Sequence, residues 1–202
     1  MRLRTLARKS VDAVLAPFHQ CGHLSLGEEV SQLEHALQCA WFAQQDNAPS
    51  HIVVAALLHD IGHLLTYTET GAHPEEGDRN GYHEKIGAHF LAQHFSDEIV
   101  KPVRLHVAAK RYQVSTQESY RQSLSAASYH SFLLQGGIMD ASTCHAFESS
   151  PWFADALLLR KYDERGKQVE IAESGFSQVD LNDFYELLIQ HTRIVKERNT
   201  YA

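Results

Sequence analysis

The pair His59-Asp60 follows seven consecutive apolar residues, Ile52 to Leu58, in the run ALLHDIGHLL. Adjacent side chains on a helix point about 100° apart, so both can reach one polar pocket from a buried segment. Carrying a charge into such a setting is costly unless something compensates it. A metal ion is the most economical partner. A helix-end His–Asp hydrogen bond is the alternative that the pair alone leaves open. His35 lies one helix earlier, on the face opposite Leu33 and Leu37, with Glu28 two turns before it and Ser31 and Gln32 between. His83 follows a long polar stretch, His106 sits in RLHVAAKRY, and Asp163 closes an apolar run in LLLRKYDERG. Four imidazoles and two carboxylates are more than one ion needs, and suit two ions if Asp60 bridges them.

Other polar residues share helix faces with these. His59 and His63 are four apart, as are His106 and Lys110, and Ser128, Ser131 and Gln135 fall at i, i+3 and i+7. Each also has a plainer reading: His63 as an orienter of a metal ligand, Lys110 as a solvated helix-end lysine, the serines as small packing residues.

The 202 residues are 44% hydrophobic and 21% charged, which predicts one globular domain with a sizeable core. Histidine is abundant, 14 against 18 Lys and Arg together, which makes metal spacing worth seeking. A formal net charge of -7 and the lack of a face-long basic cluster argue against nucleic acid as a partner. Cys21, Cys39 and Cys144 contain no CxxC pair, so neither a disulfide framework nor a thiolate zinc site is expected. Asp12 interrupts the apolar stretch Val11 to Phe18, and no uninterrupted apolar window approaches a span's length. No secretory signal and no membrane partner are therefore expected, and a cytoplasmic location is.

Apolar residues recur mostly at helical spacing. One helix is predicted from about Gly27 to Gln45, with Val30, Leu33, Leu37, Ala40 and Trp41 on one stripe. Ser50 is read as the N-cap of a helix through Ile52–Leu65, apolar nearly all round and so central in a bundle. Residues 66–82 read as a long, functional loop. Further helices are predicted over about His83–Phe95, Ser96–Tyr112 (with Pro102 a kink or the true start), and Gln117–Gln135, the last closed by Gly136-Gly137. Ser150-Pro151 would open a helix stopping near Gly166, and a last one would run from about Leu181 to Arg198. The expectation is an all-α, compact bundle of about seven to nine helices, one domain over 1–202, with its metal-binding core at about 27–166.

The order H…HD…H…H…D resembles that of the HD-domain superfamily. Within it, the chain is most similar to the mixed-valence diiron oxygenases of the PhnZ type, which cleave carbon–phosphorus bonds. The closer likeness is carried by GEEVSQLEHALQCAWFAQQ (27–45), AALLHDIGH (55–63), YHEKIGA (82–88), HVAAKRY (106–112), SAASYHSFLLQGG (125–137) and FADALLLRKYDE (153–164). The resemblance implies an HD-domain helical bundle holding two iron ions, Fe(II)/Fe(III), with O2 as co-substrate. It assigns His35, His59, Asp60 and Asp163 to one iron, and Asp60, His83 and His106 to the other. It casts His63, Lys110, Ser128, Ser131 and Gln135 as phosphonate contacts, His63 and Lys110 also as catalytic groups, and Glu28 as partner of a substrate ammonium. The implied substrate is 2-amino-1-hydroxyethylphosphonate or an N-methylated relative, supplied by an upstream 2-oxoglutarate-dependent hydroxylase and broken down to phosphate and, for the primary amine, glycine.

Two positions depart from the family. Ser131 stands where its members carry threonine. Ser25 stands where they carry a tyrosine that occupies an iron position until substrate displaces it, and a serine cannot reproduce a phenolate. Tyr82, Tyr112 and His23 are candidate substitutes without positional support. Two other functions fit the residues. An HD phosphohydrolase acting on a nucleotide or other phosphate ester would use metal-activated water and need no tyrosine. A non-catalytic phosphonate or metal sensor would keep the pocket without turnover.

Overall fold

Seven apolar residues in a row need a helix buried on every side, and Ile52 to Leu58 lie at the centre of the molecule. In the computed structural model, which describes residues 2–25, 29–71, 81–171 and 175–194, this segment is helix α3 (Ser50–Leu58). Around it pack α2 (Gln32–Gln45), α6 (Asp97–Thr116), α10 (Phe153–Arg165) and α11 (Tyr185–His191). Outside that layer, α1 (Arg2–Cys21) lies on α4 (Ile61–Thr70) and α11, and α5 (His83–Leu91) bridges α4 and α6. Three shorter helices, α7 (Glu118–Ser123), α8 (Ala126–Leu134) and α9 (Ala141–Glu148), gather along α6. The described residues contain no strand, only isolated bridges at Ser25–Ser31 and Phe95–Thr192. The fold is all-α, as expected, and short segments bring the helices among the described residues to eleven.

Several boundaries differ from the sequence reading, each for a local reason. Ser31 is not on the polar face of α2 but its N-cap. Its hydroxyl accepts from the Glu34 N–H at 3.2 Å while Glu34 takes the Ser31 N–H at 2.9 Å, a capping box that starts the helix at Gln32. The helix expected to run unbroken through Leu65 divides at His59-Asp60, and its second half continues to Thr70, where Gly71 at φ 65° ends it. Residues 66–70 of the expected loop are therefore helical, and its residues 72–80 lie outside the described residues. Pro102 lies inside α6, which starts at Asp97. Leu124 at ψ 139° separates α7 from α8, where one helix was expected. Ser150-Pro151 forms a turn, and α10 begins at Phe153. Of the last helix, expected from about Leu181 to Arg198, the described residues form a 3-10 turn at Leu181–Phe184 and then α11, after which the Arg193 N–H goes to the His94 carbonyl at 2.8 Å; residues 195–198 lie outside the described residues. α1 went unforeseen, although Ala7, Val11, Val14, Phe18 and Cys21 form a buried stripe at helical spacing.

The α4–α5 crossing governs the site. A Cβ built on Gly62 would lie 2.0 Å from the carbonyl oxygen of His83 and 2.9 Å from the Gly87 nitrogen. Only a glycine lets the backbones approach this closely. Their approach holds His83 against the turn that carries Asp60.

Candidate metal centre and adjoining cavity

The turn between α3 and α4 presents His59 and Asp60 together. His59 is fully buried and donates through Nδ1 to the Ala56 carbonyl at 2.9 Å, one of the carbonyls left free where α3 ends. His35, from α2, donates through Nδ1 to the Gly166 carbonyl at 2.7 Å. His106, from α6, donates through Nδ1 to the Val103 carbonyl at 2.7 Å. A carbonyl can only accept, so in these three rings Nδ1 bears the proton and a neutral ring leaves Nε2 as a lone pair.

Those Nε2 atoms converge. His35 and His59 bring theirs within 3.2 Å of each other, and His83 and His106 within 3.0 Å. Asp60 stands between the two pairs: Oδ2 lies 3.7 Å from His35 Nε2 and 3.4 Å from His59 Nε2. Its Oδ1 lies 3.4 Å from His83 Nε2 and 3.5 Å from His106 Nε2. Asp163, from α10, joins the first group only, with Oδ1 at 3.4 Å from His35 Nε2 and 3.6 Å from His59 Nε2. All six candidate ligands thus meet, four donors in one group and three in the other, with Asp60 common to both.

Facing lone pairs at these separations repel unless a cation or a proton lies between them. Ligand atoms about 2.0–2.2 Å from a shared ion sit roughly 3.0–3.5 Å from one another, which matches both groups, so the residues fit two metal ions. In the metal-free protein protons substitute. Burial opposes a charge on His59, yet Asp60 and Asp163 outweigh it and raise the imidazole to about 9. Burial and the neighbouring imidazoles hold His83 and His106 neutral, His106 at about 4. Against the cost of burial, His59, His83 and His63 keep Asp60 well below the usual carboxylate range, and Arg160 and His59 do the same for Asp163. Cys39 also lies near, its Sγ 3.8 Å from both nitrogens of His35. Equal distances place the sulfur off the Nε2 lone-pair axis, and burial pushes the thiol well up, so Asp163 is the better donor.

A cavity of about 100 Å³ opens beside this centre. Every candidate substrate contact within the described residues lines it: His63, Lys110, Ser128, Ser131 and Gln135. Glu28 lies outside the described residues. His63 stacks on the His83 ring at 4.0 Å, with its Nδ1 buried and without a hydrogen-bond partner. Gln135 has a buried, unpartnered Oε1 at the same cavity. Such atoms are costly unless a ligand satisfies them. Lys110 is buried, which together with the Arg160 guanidinium pulls its ammonium down to about 7, and it donates to Ser131 Oγ at 2.8 Å. Ser131 Oγ also lies 3.1 Å from the Ser128 carbonyl, to which it can donate while it accepts from Lys110.

Two charged cavity-wall residues escaped the sequence reading, Arg160 and Lys167; Gln32, read on the polar face of α2 with His35, lines the cavity too. Arg160 is buried and donates to both Asp163 Oδ2 and Glu164 Oε2, and through Nε to the Tyr120 hydroxyl at 2.6 Å. It occupies the Asp163 oxygen that faces away from the histidines. The available signal was spacing, since Arg160 precedes Asp163 by one helical turn. Ser25 is exposed and does not line the cavity, nor do Tyr82, Tyr112 and His23. Tyr112 instead donates to Glu148 at 2.7 Å, and Tyr82 faces a separate pocket beyond Gln135.

Helices that meet at an adjacent His-Asp turn, with histidines from flanking helices closing on it, define a class, and the chain belongs to the HD-domain family, whose pattern matches residues 32–172. Among its relatives, the [1-hydroxy-2-(trimethylamino)ethyl]phosphonate dioxygenase (glycine-betaine-forming) of Leisingera caerulea is 44% identical over 146 residues, 72% of this chain and 74% of that protein. The hydroxymethylphosphonate dioxygenase of Gimesia maris is 38% identical over 171 residues, 82% of this chain and 81% of that protein. No helix among the described residues is long and apolar enough to cross a membrane.

Proposed function

We propose that this protein is a diiron oxygenase that cleaves the carbon–phosphorus bond of a small 1-hydroxyalkylphosphonate and releases phosphate. The observation that carries this reading is the division of Asp60, whose two oxygens each face a different histidine pair, beside a cavity walled by lysines, serines and an amide. Both named relatives act on phosphonates hydroxylated at the carbon bearing phosphorus. One of those substrates carries a quaternary ammonium and the other no nitrogen, so the feature they share is the hydroxyphosphonate itself.

His35, His59, Asp60 and Asp163 would hold one metal, and Asp60, His83 and His106 the other. Imidazole and carboxylate donors suit iron, manganese and zinc alike, and the oxygenase reading selects iron. When bound, the pair would relay electrons from the substrate carbon to O2 and supply Lewis acidity. The chain supplies position. Lys110, held by Ser131, places a positive charge against the phosphonate, and the orphaned His63 Nδ1 and Gln135 amide complete its hydrogen bonds. The main-chain carbonyls of Gly166, Ala56 and Val103 fix which nitrogen of His35, His59 and His106 bears a proton. A cavity of about 100 Å³ is small beside the roughly 300–1,000 Å³ of sites for drug-sized ligands, which favours a compact substrate over a nucleotide. Glu28 is the proposed partner of a substrate ammonium. The three cysteines are free, which suits the reducing cytoplasm where we place the protein.

The test supplies iron-loaded protein with 2-amino-1-hydroxyethylphosphonate, its trimethylammonio analogue and hydroxymethylphosphonate, and follows O2 uptake and phosphate release. Phosphate should appear only with iron and air. Glu28→Gln should damage turnover of the two cationic substrates far more than that of hydroxymethylphosphonate. Phosphate released equally well without oxygen, from nucleotides and with manganese, would replace this reading with a phosphohydrolase.

A further inference from the structure

The geometry points to a second ligand site, in a cleft behind α5 and α6, that takes a small amino acid as its zwitterion, the ammonium on Glu84 and the carboxylate on Arg104. This site goes beyond the proposed reaction and rests on its own wall. The cleft has a volume of about 360 Å³, and among the described residues Gln135 alone lines both it and the cavity beside the metal centre. The separation follows from helix geometry. His83 and His106 turn their rings to the metal centre, while their chain neighbours Glu84 and Val107, about 100° further round α5 and α6, line the second cleft.

Two acceptors in this wall lack donors. Glu84 is 6% exposed, and its Oε2 is buried without a hydrogen-bond partner. Gln135 Oε1 is in the same condition. Carboxylate and amide oxygens accept, so whatever completes them must bring N–H or O–H groups. Leaving such an oxygen unmet is costly, most of all on a charged group. The rest of the polar wall is cationic: Lys85, Arg104 and Arg111. Arg111 donates to the Gly136 and Gly137 carbonyls at 3.2 and 2.9 Å and so fixes the end of α8. Lys85 lies 4.1 Å from the centre of the Tyr82 ring. Arg104 is exposed and makes no side-chain hydrogen bond among the described residues, which leaves its planar fork open to a carboxylate. A simple anion would suit these cations and be repelled by Glu84, and a simple cation would meet the reverse. A zwitterion satisfies both. Val107, Ala108 and Leu134 add an apolar stretch of wall that suits a short aliphatic side chain.

The probes are glycine and L-leucine, titrated calorimetrically into metal-loaded protein with and without inorganic phosphate, and acetate and methylamine serve as the two half-ligands. At least one amino acid should bind, whether or not phosphate is present, and both half-ligands should bind far more weakly. Glu84→Gln and Arg104→Met should each weaken amino-acid binding roughly ten- to hundredfold, the loss expected for a hydrogen bond to a charged group, with metal content unchanged. Arg104 is exposed on α6, so its replacement tests the site even if Glu84→Gln fails to fold. Binding of neither amino acid would overturn the inference, as would acetate binding as tightly as glycine or wild-type affinity in Arg104→Met. Displacement of the amino acid by phosphate would put it at the metal centre and overturn the inference as well. Protein that binds an amino acid in this way yet releases no phosphate from any phosphonate would sink the oxygenase reading and leave this site standing.

Discussion

Adding one methyl group at Gly62 should cost the protein one of the two metals proposed for it. Its new Cβ would lie 2.0 Å from the His83 carbonyl oxygen, and ordinary contact begins at 3.4 Å, so α5 must retreat by about 1.4 Å. His83 rides on that helix, and its Nε2 lies only 3.0 Å from His106 Nε2 and 3.4 Å from Asp60 Oδ1. A retreat of that size takes His83 out of reach of an ion held by Asp60 and His106. The other group, from α2, the α3–α4 turn and α10, does not depend on α5. Helix propensity alone would favour alanine over glycine by about 1 kcal/mol. Overpacking typically costs about 1–3 kcal/mol, and a clash against backbone belongs at the upper end. Gly62→Ala should therefore be less stable by about 1–2 kcal/mol net. After iron loading, elemental analysis should give close to one metal per chain where wild type gives two, and calorimetry should give a lower Tm. Gly87→Ala is the control: its Cβ would come no closer than 3.2 Å to Gly62 and Ile61, so it should be far milder. A Gly62→Ala protein with two metals and an unchanged Tm would refute the account of the α4–α5 crossing.

The remaining expectations concern the two metal groups and the cationic wall. His83→Ala or His106→Ala should lower the metal content from two per chain to one with the circular dichroism spectrum intact; no change in metal content would argue against a dinuclear centre. Lys110→Ala should weaken substrate or phosphate binding roughly ten- to hundredfold with the metals in place, and an unchanged affinity would return it to a structural role. Arg160→Met should lower stability by about 3–5 kcal/mol, the usual penalty for stripping a buried ion pair of one partner, because Asp163 loses its counter-charge. A Tm within a degree of wild type would show that water or Lys167 replaces the guanidinium.

The candidate ligands were legible because the physics that hides them also marks them. A His-Asp pair directly after Ile52–Leu58 has no cheap way to be buried, so it announces a partner. His63, Lys110 and Gln135 were legible by their face-sharing with the ligands and with Ser128 and Ser131. Arg160 and Lys167 were not, because basic residues near a helix end ordinarily serve its C-terminal dipole and face water. Only the approach of α8 to the segment after α10 sets Lys167 against Ser128. The break at His59-Asp60 was hidden because both halves are apolar at helical spacing. Gly62 carried no visible reason to be glycine until α5 was set against it. Ser131 was legible as a cavity residue by its hydroxyl and spacing, while its bond to Lys110 depends on how α8 meets α6.

Metal-bound histidines commonly rely on a second side chain, often a carboxylate, to orient them. Here Ala56, Val103 and Gly166 do so through carbonyl oxygens of the main chain. A main-chain carbonyl survives any substitution at its own residue, so no single codon change at Ala56 or Val103 deletes the acceptor. Gly166 is the exception in another sense: its carbonyl would persist, but a Cβ there would lie 2.3 Å from Cys39 Sγ and displace the turn. The centre's vulnerability to mutation is therefore concentrated in its six donors and in the two glycines that let backbone come close.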